Sequence, residues 1–410
     1  MEILIGPFAE LLSFEGLGLK GAISDEELLI QKEAGVWVKD GRVLKTGPFH
    51  DLRIEANTQN VRISHLDSPM VALPGFVDAH THICFGGSRA RDYAMRNAGK
   101  SYLEIARSGG GIWDSVQQTR NASKADLISG IKNRAARHLK DGITTIEVKS
   151  GYGLNLEQEL KMLEAIREAN LETEAELIPT CLAAHICPKD FDGEKEAYLA
   201  YILSDILPEL KNRKLTNRVD IFIEDTAFEV GMSKDFLLNA KAQGFDLTVH
   251  ADQFHSGGSK IAVEVEARSA DHLEASGEKE VEILAKSNTV AVVLPGASMG
   301  LGEPFGPARK LLDGGASLAI ASDWNPGSAP MGNLLTQAAV LGTYEKLSTA
   351  ETLSALTFRA AAALGLEDRG RLLGGMRADI VAFPVSDHRE ILYHQGSLKP
   401  NMVWKAGKLC

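Results

Sequence analysis

Apolar, strand-like runs alternate with helical stretches over most of the chain. Stretches such as "LEQELKMLEAIREA" and "PARKLLDGG" carry apolar residues at three- and four-residue spacing, which predicts helices. The strand-like runs are "ALPGFVDAH", "GITTIEVKSG", "EAELIPTCLAAH", "RVDIFIED", "FDLTVHAD", "SADHL", "TVAVVLPGA" and "SLAIASDWNPG". This alternation is typical of a parallel sheet with crossover helices, and eight such runs predict a closed (β/α)8 barrel.

The two ends of the chain have a different pattern, with short strand-like segments in place of the alternation of strands and helices. The segment "GVWVKDGRVLKTG" predicts two strands around a turn at Asp40–Gly41. Near the other end, "ADIVAFPV" and "NMVWKAGK" predict further strands, and both ends would form one small β domain beside the barrel. The expected boundaries are 1–70 and 371–410 for the two parts of this domain, with the barrel over 71–370.

Two glycine-rich segments match phosphate-binding patterns only superficially. "GLGLKG", residues 16–21, fits G-x-G-x-x-G, but no clear strand precedes it and no βαβ unit follows. "SGGGI", residues 108–112, lacks the Gly-Lys-Ser/Thr of a phosphate loop. Both segments are expected to be flexible loops.

Composition and charge exclude several classes of partner. The hydrophobic content of 44% and charged content of 24% are those of a soluble globular protein. A net charge of −11 without any Lys/Arg run argues against nucleic acid or an anionic membrane as partner. The start "MEILIGPFAELL" lacks the basic region of a signal peptide. Four scattered cysteines indicate reduced thiols, so a cytoplasmic protein is expected.

Histidines and one aspartate collect where the predicted strands end. His80 and His82 alternate along one strand and face the same side, where they could form a hydrogen-bonded core pair or hold a metal ion. Five of the eight runs end in His or Asp, at His80/His82, His185, His250, His272 and Asp323. The carboxyl ends of all barrel strands meet at one face, so the metal interpretation is favoured. Imidazoles with one carboxylate suit zinc or iron.

Such a site would have a definite chemistry. Three or four protein ligands with an open position would activate a water molecule, and Asp323 could take its proton and deliver it to a leaving nitrogen. Lys149, at the end of the second run, is expected to have a positioning or structural role rather than to bridge two metals. Cys84 lies two residues after His82, but "CFGG" ends the strand there, so we do not expect it to be a ligand.

Several segments carry a more specific resemblance. In chain order they are "HTHICFGGSRARDYAMRNAGKSYLEIARSGGGI", "EVKSGYGLNLEQELKML", "LAAHICPKDF", "VHADQFHSGG", "SADHLEASG" and "ASDWNPGSAPMGNL". With "PGFVDAHTH", they are similar to the amidohydrolase superfamily and, within it, to the imidazolonepropionase family of histidine-degrading hydrolases. The similarity runs from about residue 70 to 365. It implies a (β/α)8 barrel with a small β-sandwich domain formed from both termini.

The resemblance also implies a mononuclear zinc or iron site and a homodimer. The metal ligands would be His80, His82, His250 and Asp323. The implied substrate is 4-imidazolone-5-propanoate, and the product is N-formimidoyl-L-glutamate. The substrate carries a propionate, which the planar guanidinium of Arg89 could hold, with the neighbouring Arg91 as a rival.

Further positions match family residues that contact the substrate or assist catalysis. His185 would polarise the ring carbonyl, and His272 would hydrogen-bond the water or its proton acceptor. Hydrogen bonds to the substrate would also come from the side chains of Tyr152, Asn325 and Ser328 and from the backbone of Gly327.

Gln253 departs from the pattern of many family members, which carry Glu at this point. Glutamine cannot accept a proton, although it can hydrogen-bond the ring N–H and carbonyl at once. Asp323 or His272 would then act as the general base.

Two other functions remain open on the sequence. The first is a deaminase or another cyclic amidohydrolase of the same superfamily, for which Arg89 discriminates because a base without a carboxylate gives it nothing to bind. The second is a non-catalytic barrel that has lost its metal, against which the complete His/His/His/Asp set argues.

Overall fold

The N-terminal part of the chain contributes five strands to a sheet that the C-terminus completes. The protein is represented by a computed structural model that describes residues 2–100 and 102–410. The strands are β1 (Glu2–Leu12), β2 (Ile30–Lys39), β3 (Arg42–Pro48), β4 (Arg62–His65) and β5 (Val71–Pro74). β2 and β3 form the predicted hairpin, with Lys39 paired to Arg42. Its turn residues have the positive φ angles, 48° and 79°, that a two-residue turn requires.

Eight parallel strands follow in the order that the sequence predicted. They are β6 (Phe76–Asp78), β7 (Ile143–Lys149), β8 (Glu176–Ala184), β9 (Arg218–Phe222), β10 (Asp246–Ala251), β11 (Ser269–His272), β12 (Val290–Val293) and β13 (Leu318–Ile320). Each pairs with its neighbours in chain order. Past the ends of β6 and β13, the ring is closed by a parallel bridge between Thr81 and Trp324, with the His82 N–H donating to the Trp324 carbonyl at 2.9 Å. The barrel prediction is confirmed.

The C-terminal strands return to the first sheet. They are β14 (Ile380–Phe383), β15 (Met402–Lys405) and β16 (Lys408–Leu409). The sheet has the order β16-β15-β14-β5-β1-β2-β3, with β4 also paired to β1. Phe8 on β1 and Trp404 on β15 meet edge to face, with ring centroids 6.2 Å apart, so the sheet curls over its own apolar face. One β domain built from both termini is therefore confirmed. β5, which begins at the expected boundary of residue 71, lies in this sheet and leads into the barrel.

Helices cover the outside of the barrel and one face of the terminal sheet. They are α1 (Phe49–Thr58), α2 (Ala90–Asn97), α3 (Tyr102–Arg107), α4 (Ile112–Asn121), α5 (Lys124–Lys140), α6 (Leu156–Glu172), α7 (Lys195–Tyr201), α8 (Leu207–Asn212), α9 (Val230–Ala242), α10 (Gly258–Glu264), α11 (Glu278–Lys286), α12 (Pro295–Leu301), α13 (Ala308–Gly314), α14 (Leu334–Glu345), α15 (Thr349–Ala355), α16 (Phe358–Ala363) and α17 (Arg389–Tyr393). Within residues 2–100 and 102–410, no helix is long and apolar enough to cross a membrane.

Local sequence fixes where the two long helices beside the first strands begin. The Ser123 hydroxyl accepts the Asp126 N–H at the start of α5, and the Asn155 side chain accepts the Gln158 N–H at the start of α6. Both helices then bury one apolar face against the barrel, as the spacing predicted. α5 packs on β7 and α6 on β8, and because all eight strands are parallel, their carboxyl ends form one rim.

Candidate metal and catalytic site

Four potential ligand atoms converge at the rim of the barrel. The Nε2 atom of His82 lies 3.3 Å from Nε2 of His80 and 3.3 Å from Nε2 of His250. Oδ1 of Asp323 lies 3.4 Å from the His82 nitrogen and 3.6 Å from the His80 nitrogen. In a tetrahedral zinc site with bonds of about 2.0–2.1 Å, neighbouring ligand atoms are roughly 3.3 Å apart. The three histidine nitrogens therefore fit one metal ion, and Asp323 adds a further oxygen on the side of His80 and His82.

Buried carboxylates fix which ring nitrogen of two histidines faces the centre. Nδ1 of His80 lies 2.6 Å from Oδ2 of Asp271, and Nδ1 of His250 lies 2.9 Å from Oδ2 of Asp220. A carboxylate beside Nδ1 keeps the ring proton on that nitrogen. Nε2 is then the nitrogen with the free lone pair. Asp220 and Asp271 were missed in the sequence. The available signal was a carboxylate inside an otherwise apolar strand, where a charge needs a partner.

The electrostatics of the site also favour metal binding. Burial lowers the pKa of His82 and of His250 to about 3, and lowers that of His80 well below its usual range. The Lys149 ammonium adds to this effect at all three rings. The imidazoles are therefore neutral at physiological pH, which is the form that coordinates a metal.

The turn after β13 orients Asp323. The Asn325 amide donates to Oδ2 of Asp323 at 2.8 Å, and the Ser328 hydroxyl lies 3.3 Å from the same oxygen. The Asn325 side-chain oxygen in turn accepts the N–H groups of Gly327 and Ser328. These contacts occupy Oδ2 and leave Oδ1 for the centre. Asn325, Gly327 and Ser328 were expected to contact the substrate; in the structure the side chains of Asn325 and Ser328 hold Asp323, and Gly327 donates its N–H to Asn325.

His185 stands beside the histidine cluster. Its ring stacks on that of His82, with centroids 5.7 Å apart and planes 24° from parallel. Nδ1 lies 3.0 Å from the Gly151 carbonyl, to which it donates, so Nε2 is the acceptor on the other side of the ring. Burial and the neighbouring His82 lower its pKa to about 3. His185 is therefore a neutral hydrogen-bonding group.

His272 reaches the site through an uncommon backbone conformation. Its φ is 92°, a value that side-chain-bearing residues rarely adopt, and its ring centroid lies 5.3 Å from that of His250. Nδ1 lies 3.5 Å from a carboxylate oxygen of Glu274, another residue that the sequence did not single out. Burial alone would lower the pKa of His272, but the carboxylates of Glu274 and Asp323 raise it. A proton is therefore more easily held here than on His185.

The loop after β7 presents Tyr152 to the site. Its ring centroid is 6.0 Å from that of His82, and burial raises its pKa, so the phenol stays protonated. The buried carboxylate of Glu159 on α6 accepts N–H groups from Gly151 (3.2 Å), Gly153 (2.8 Å) and Leu154 (2.8 Å). Glu159 therefore fixes the loop around Tyr152. It is a positioning residue that the sequence did not reveal.

Arg89 and Arg91 take different directions. Nε of Arg89 donates to the buried Asp92 carboxylate at 2.8 Å, and the side chain is only 10% exposed. A Cβ added at Gly327 would lie 2.3 Å from an Arg89 nitrogen, so the guanidinium passes over this glycine beside Asp323. The exposed Arg91 donates instead to the Ser108 carbonyl. Of these two arginines, Arg89 is the one that lies beside the turn holding Asp323.

"SGGGI" takes part in this arrangement. The Gly111 N–H donates to the same Asp92 carboxylate at 2.9 Å, and α4 begins at the next residue. "GLGLKG" lies in the connection between β1 and β2, outside any βαβ unit.

Gln253 lies three residues after His250 and is half-buried. Its loop is held on both sides, because the Asp252 carboxylate accepts the Gly257 N–H at 2.9 Å and the Glu224 carboxylate accepts the Phe254 N–H at 2.7 Å. Among the described residues, no hydrogen bond is made by the Gln253 side chain, which leaves its amide for a ligand.

Lys149 and Cys84 lie outside the converging ligand atoms. Lys149 is buried among carboxylates below the site, with Nζ 2.9 Å from Oδ2 of Asp220. The Cys84 thiol faces the Met162 carbonyl at 3.8 Å, and burial raises its pKa to about 12. Of the described residues, the three-histidine group His80, His82 and His250 is the one at this rim whose ligand atoms come close enough to hold a metal ion.

Comparisons with known proteins agree with this architecture. Residues 71–410 match the amidohydrolase family. Imidazolonepropionase of Bacillus cereus (strain ZK / E33L) is 42% identical, with 99% of this chain and 95% of that protein covered. The imidazolonepropionase of Myxococcus xanthus (strain DK1622) is 37% identical, with 100% and 97% covered.

Solved structures show the same fold at much lower identity. Atrazine chlorohydrolase from Arthrobacter aurescens, complexed with zinc, superimposes with a TM-score of 0.70 at 15% identity, covering 99% of this chain and 94% of that one. An adenosine deaminase from Xanthomonas campestris with bound zinc gives 0.69 at 18% identity, covering 99% and 92%. From its family match and its full-length relatives, this hydrolase belongs to the amidohydrolase family, among the imidazolonepropionases.

Proposed function

We propose that the protein hydrolyses the ring amide C–N bond of 4-imidazolone-5-propanoate and releases N-formimidoyl-L-glutamate. The observation that carries the proposal is the position of the Arg89 guanidinium over Gly327, in the turn whose Asn325 holds Asp323. A guanidinium at that point provides a partner for the propionate while the ring lies over the cluster. The full-length relatives named imidazolonepropionase support the same substrate.

One zinc or iron ion per subunit would be held by His80, His82, His250 and Asp323. When bound, the metal would supply a Lewis acid that activates water and polarises the ring carbonyl. The neutral imidazoles, the 3.3–3.6 Å spacing of the ligand atoms and the carboxylate partners of Nδ1 all support this assignment. A mixed nitrogen and oxygen donor set suits either metal.

The remaining residues bind and move protons. Asp323 accepts the proton of the attacking water at Oδ1 and passes it to the leaving ring nitrogen; burial raises the pKa of this carboxyl, which brings it nearer to that of an effective base. His272 hydrogen-bonds the same water and keeps its orientation. Tyr152 donates its hydroxyl hydrogen to the ring carbonyl, where negative charge develops as water adds to the carbonyl carbon. His185 was expected to polarise this carbonyl, but its Nε2 is an acceptor, so it takes a hydrogen bond from a ring N–H instead.

Gln253 binds the ring without exchanging protons with it. Its amide would donate to the carbonyl and accept from the ring N–H. Because the loop is fixed at both sides of residue 253, the amide is presented in one place. The reaction proposed here therefore needs no carboxylate at this position.

We further propose a homodimer that acts in the cytoplasm. The homodimer follows from the resemblance to the imidazolonepropionases, and the cytoplasm follows from the four scattered cysteines. Light scattering on the purified protein gives the mass in solution directly, and a monomer would contradict the dimer without affecting the proposed reaction.

A direct assay tests the proposed reaction. Purified protein of measured metal content is mixed with freshly generated 4-imidazolone-5-propanoate, and loss of the ultraviolet absorbance of the ring is followed. Because this substrate decays spontaneously, the controls are a sample without protein and one treated with a chelator. We expect metal-dependent acceleration with N-formimidoylglutamate as product. A metal-loaded protein that leaves the decay rate unchanged would contradict the proposal.

A further inference from the structure

Lys149 lies in a pocket of three carboxylates below the histidine cluster. Its Nζ is 2.9 Å from Oε1 of Glu147, 2.9 Å from Oδ2 of Asp220 and 3.9 Å from Oδ2 of Asp271. The lysine side chain is 1% exposed, and none of the three acids is more than 1% exposed. Burial alone would lower the pKa of Lys149, but the surrounding carboxylates raise it, so it is an ammonium.

Two of these carboxylates each orient a different histidine. Asp220 lies 2.9 Å from Nδ1 of His250, and Asp271 lies 2.6 Å from Nδ1 of His80. The same oxygen of each acid, Oδ2, faces both the ammonium and the imidazole. Any rotation of either carboxylate away from Lys149 would therefore also move it from its histidine.

The third carboxylate holds the backbone between the two neighbouring histidines. Oε2 of Glu147 accepts the Thr81 N–H at 3.1 Å, and the Thr81 hydroxyl donates to the Glu147 carbonyl at 2.6 Å. The Lys149 N–H donates to the Thr81 carbonyl at 2.9 Å, so β7 and the residues after β6 are joined on both sides. Through Glu147, Lys149 is thus connected to the segment that carries His80 and His82.

We propose that Lys149 is the positioning residue of the metal site: its ammonium orients the carboxylates that set the directions of His80 and His250 and anchor the segment between His80 and His82. This inference rests on the metal site of the proposed function. The three buried acids would repel one another without a cation among them, because no water screens them. Lys149 acts through these acids and does not itself contact the metal.

Zinc affinity and a cobalt spectrum test this role. The variants are Lys149→Met, which keeps the chain length but removes the charge, and Lys149→Gln, which keeps hydrogen bonds without charge. Lys149→Arg keeps the charge. The matched control is Lys161→Met, because the Lys161 ammonium is also held by three oxygens, but these are the backbone carbonyls of Thr119 (3.3 Å), Arg120 (2.8 Å) and Ala122 (2.9 Å). Zinc dissociation constants come from competition with a chelator, and the visible bands of the cobalt-substituted protein report ligand geometry.

We expect Lys149→Met and Lys149→Gln to weaken zinc binding by about 10–100-fold, the usual effect of losing an outer partner of a metal ligand, and to change the cobalt bands. Lys149→Arg should recover most of the affinity, and Lys161→Met should change neither readout even if it lowers the melting temperature. Should Lys149→Met fail to fold, Lys149→Gln decides the question.

The outcomes separate this inference from the proposed function. Wild-type protein that binds neither zinc nor cobalt would overturn the metal site and with it the role of Lys149. Wild-type protein that binds zinc tightly, with Lys149→Met and Lys149→Gln giving the same affinity and the same spectrum, would overturn the role of Lys149 alone.

Discussion

At the scale of single residues, the site depends on which nitrogen of each imidazole has an acceptor beside it on the side away from the centre. Nδ1 of His80 and of His250 faces a carboxylate, and Nδ1 of His185 faces a backbone carbonyl. In all three rings Nε2 is therefore directed to the centre or to the substrate. The sequence predicts the histidines but not their tautomers, because these partners come from other strands.

Removing one ligand tests the centre directly. His250→Ala should lower kcat at least about 100-fold and leave the purified protein with far less than one metal ion per chain, because Asp220 then lacks its imidazole and the ligand set is incomplete. Turnover and elemental analysis of the same preparation check both effects. His394→Ala, in the terminal domain, is the control. A His250→Ala protein with near-normal rate and metal content would contradict the ligand assignment.

Arg89 is expected to act on substrate binding more than on the chemical step. Charge-assisted hydrogen bonds contribute about 1.5–3 kcal/mol, so Arg89→Ala should raise KM roughly 10–100-fold while kcat falls much less. Arg89→Lys should recover only part of the loss, because an ammonium lacks the planar fork. The exposed Arg91, paired to the Ser108 carbonyl, provides the control Arg91→Ala. An unaltered KM in Arg89→Ala would contradict the propionate contact.

At the scale of elements, the active rim consists of loops that buried acids hold in place. Glu159 on α6 holds the loop after β7, and Asp92 on α2 holds both Arg89 and Gly111. Each acid accepts backbone N–H groups that would otherwise be buried without partners. The proposed substrate contacts are therefore supported by helices, although the residues themselves lie in loops.

Glu159→Gln tests this support. Oε1 of Glu159 accepts all three N–H groups, and an uncharged amide oxygen accepts them more weakly than a carboxylate oxygen, so the free energy of unfolding should fall by about 1–3 kcal/mol. Because Tyr152 lies in the same loop, kcat/KM should fall as well. Denaturant unfolding and steady-state kinetics provide the two readouts, with Glu157→Gln, exposed on the same helix, as the control. Unchanged stability and kinetics in Glu159→Gln would contradict the proposed role of Glu159 in holding the loop around Tyr152.

The sequence predicted the elements better than it predicted their connections. The eight barrel strands were recognisable because buried parallel strands are continuous apolar runs. "SGGGI" was expected to be a flexible loop, and its contact with Asp92 could not be foreseen because 19 residues separate Gly111 from that acid. Asp220 and Asp271 were missed for the same reason, since a carboxylate shows its partner only once the barrel has closed.

At the scale of the whole molecule, the barrel buries its histidines uncharged. His82, His185 and His250 have their pKa values lowered to about 3 by burial, far below the value of about 6.5 in an unfolded chain. Between these two values the unfolded state binds more protons than the folded state. Stability that is present above pH 6.5 is therefore lost as the pH falls toward 3.

Acid unfolding of the chelator-treated protein measures this effect. His80, whose pKa burial also lowers, acts in the same way, so each of the four histidines contributes a slope of about 1.4 kcal/mol per pH unit and together they lower the free energy of unfolding by at most about 5.5 kcal/mol per pH unit. A domain with about 5–15 kcal/mol of stability should therefore unfold before pH 3, and bound metal should move the midpoint to lower pH. His185→Phe removes one of these four groups and should reduce the slope by about a quarter, whereas His50→Gln on the exposed side of α1 should leave it unchanged. Circular dichroism against pH and denaturant gives the slopes, and an equal slope in His185→Phe would show that this imidazole is not buried in its neutral form.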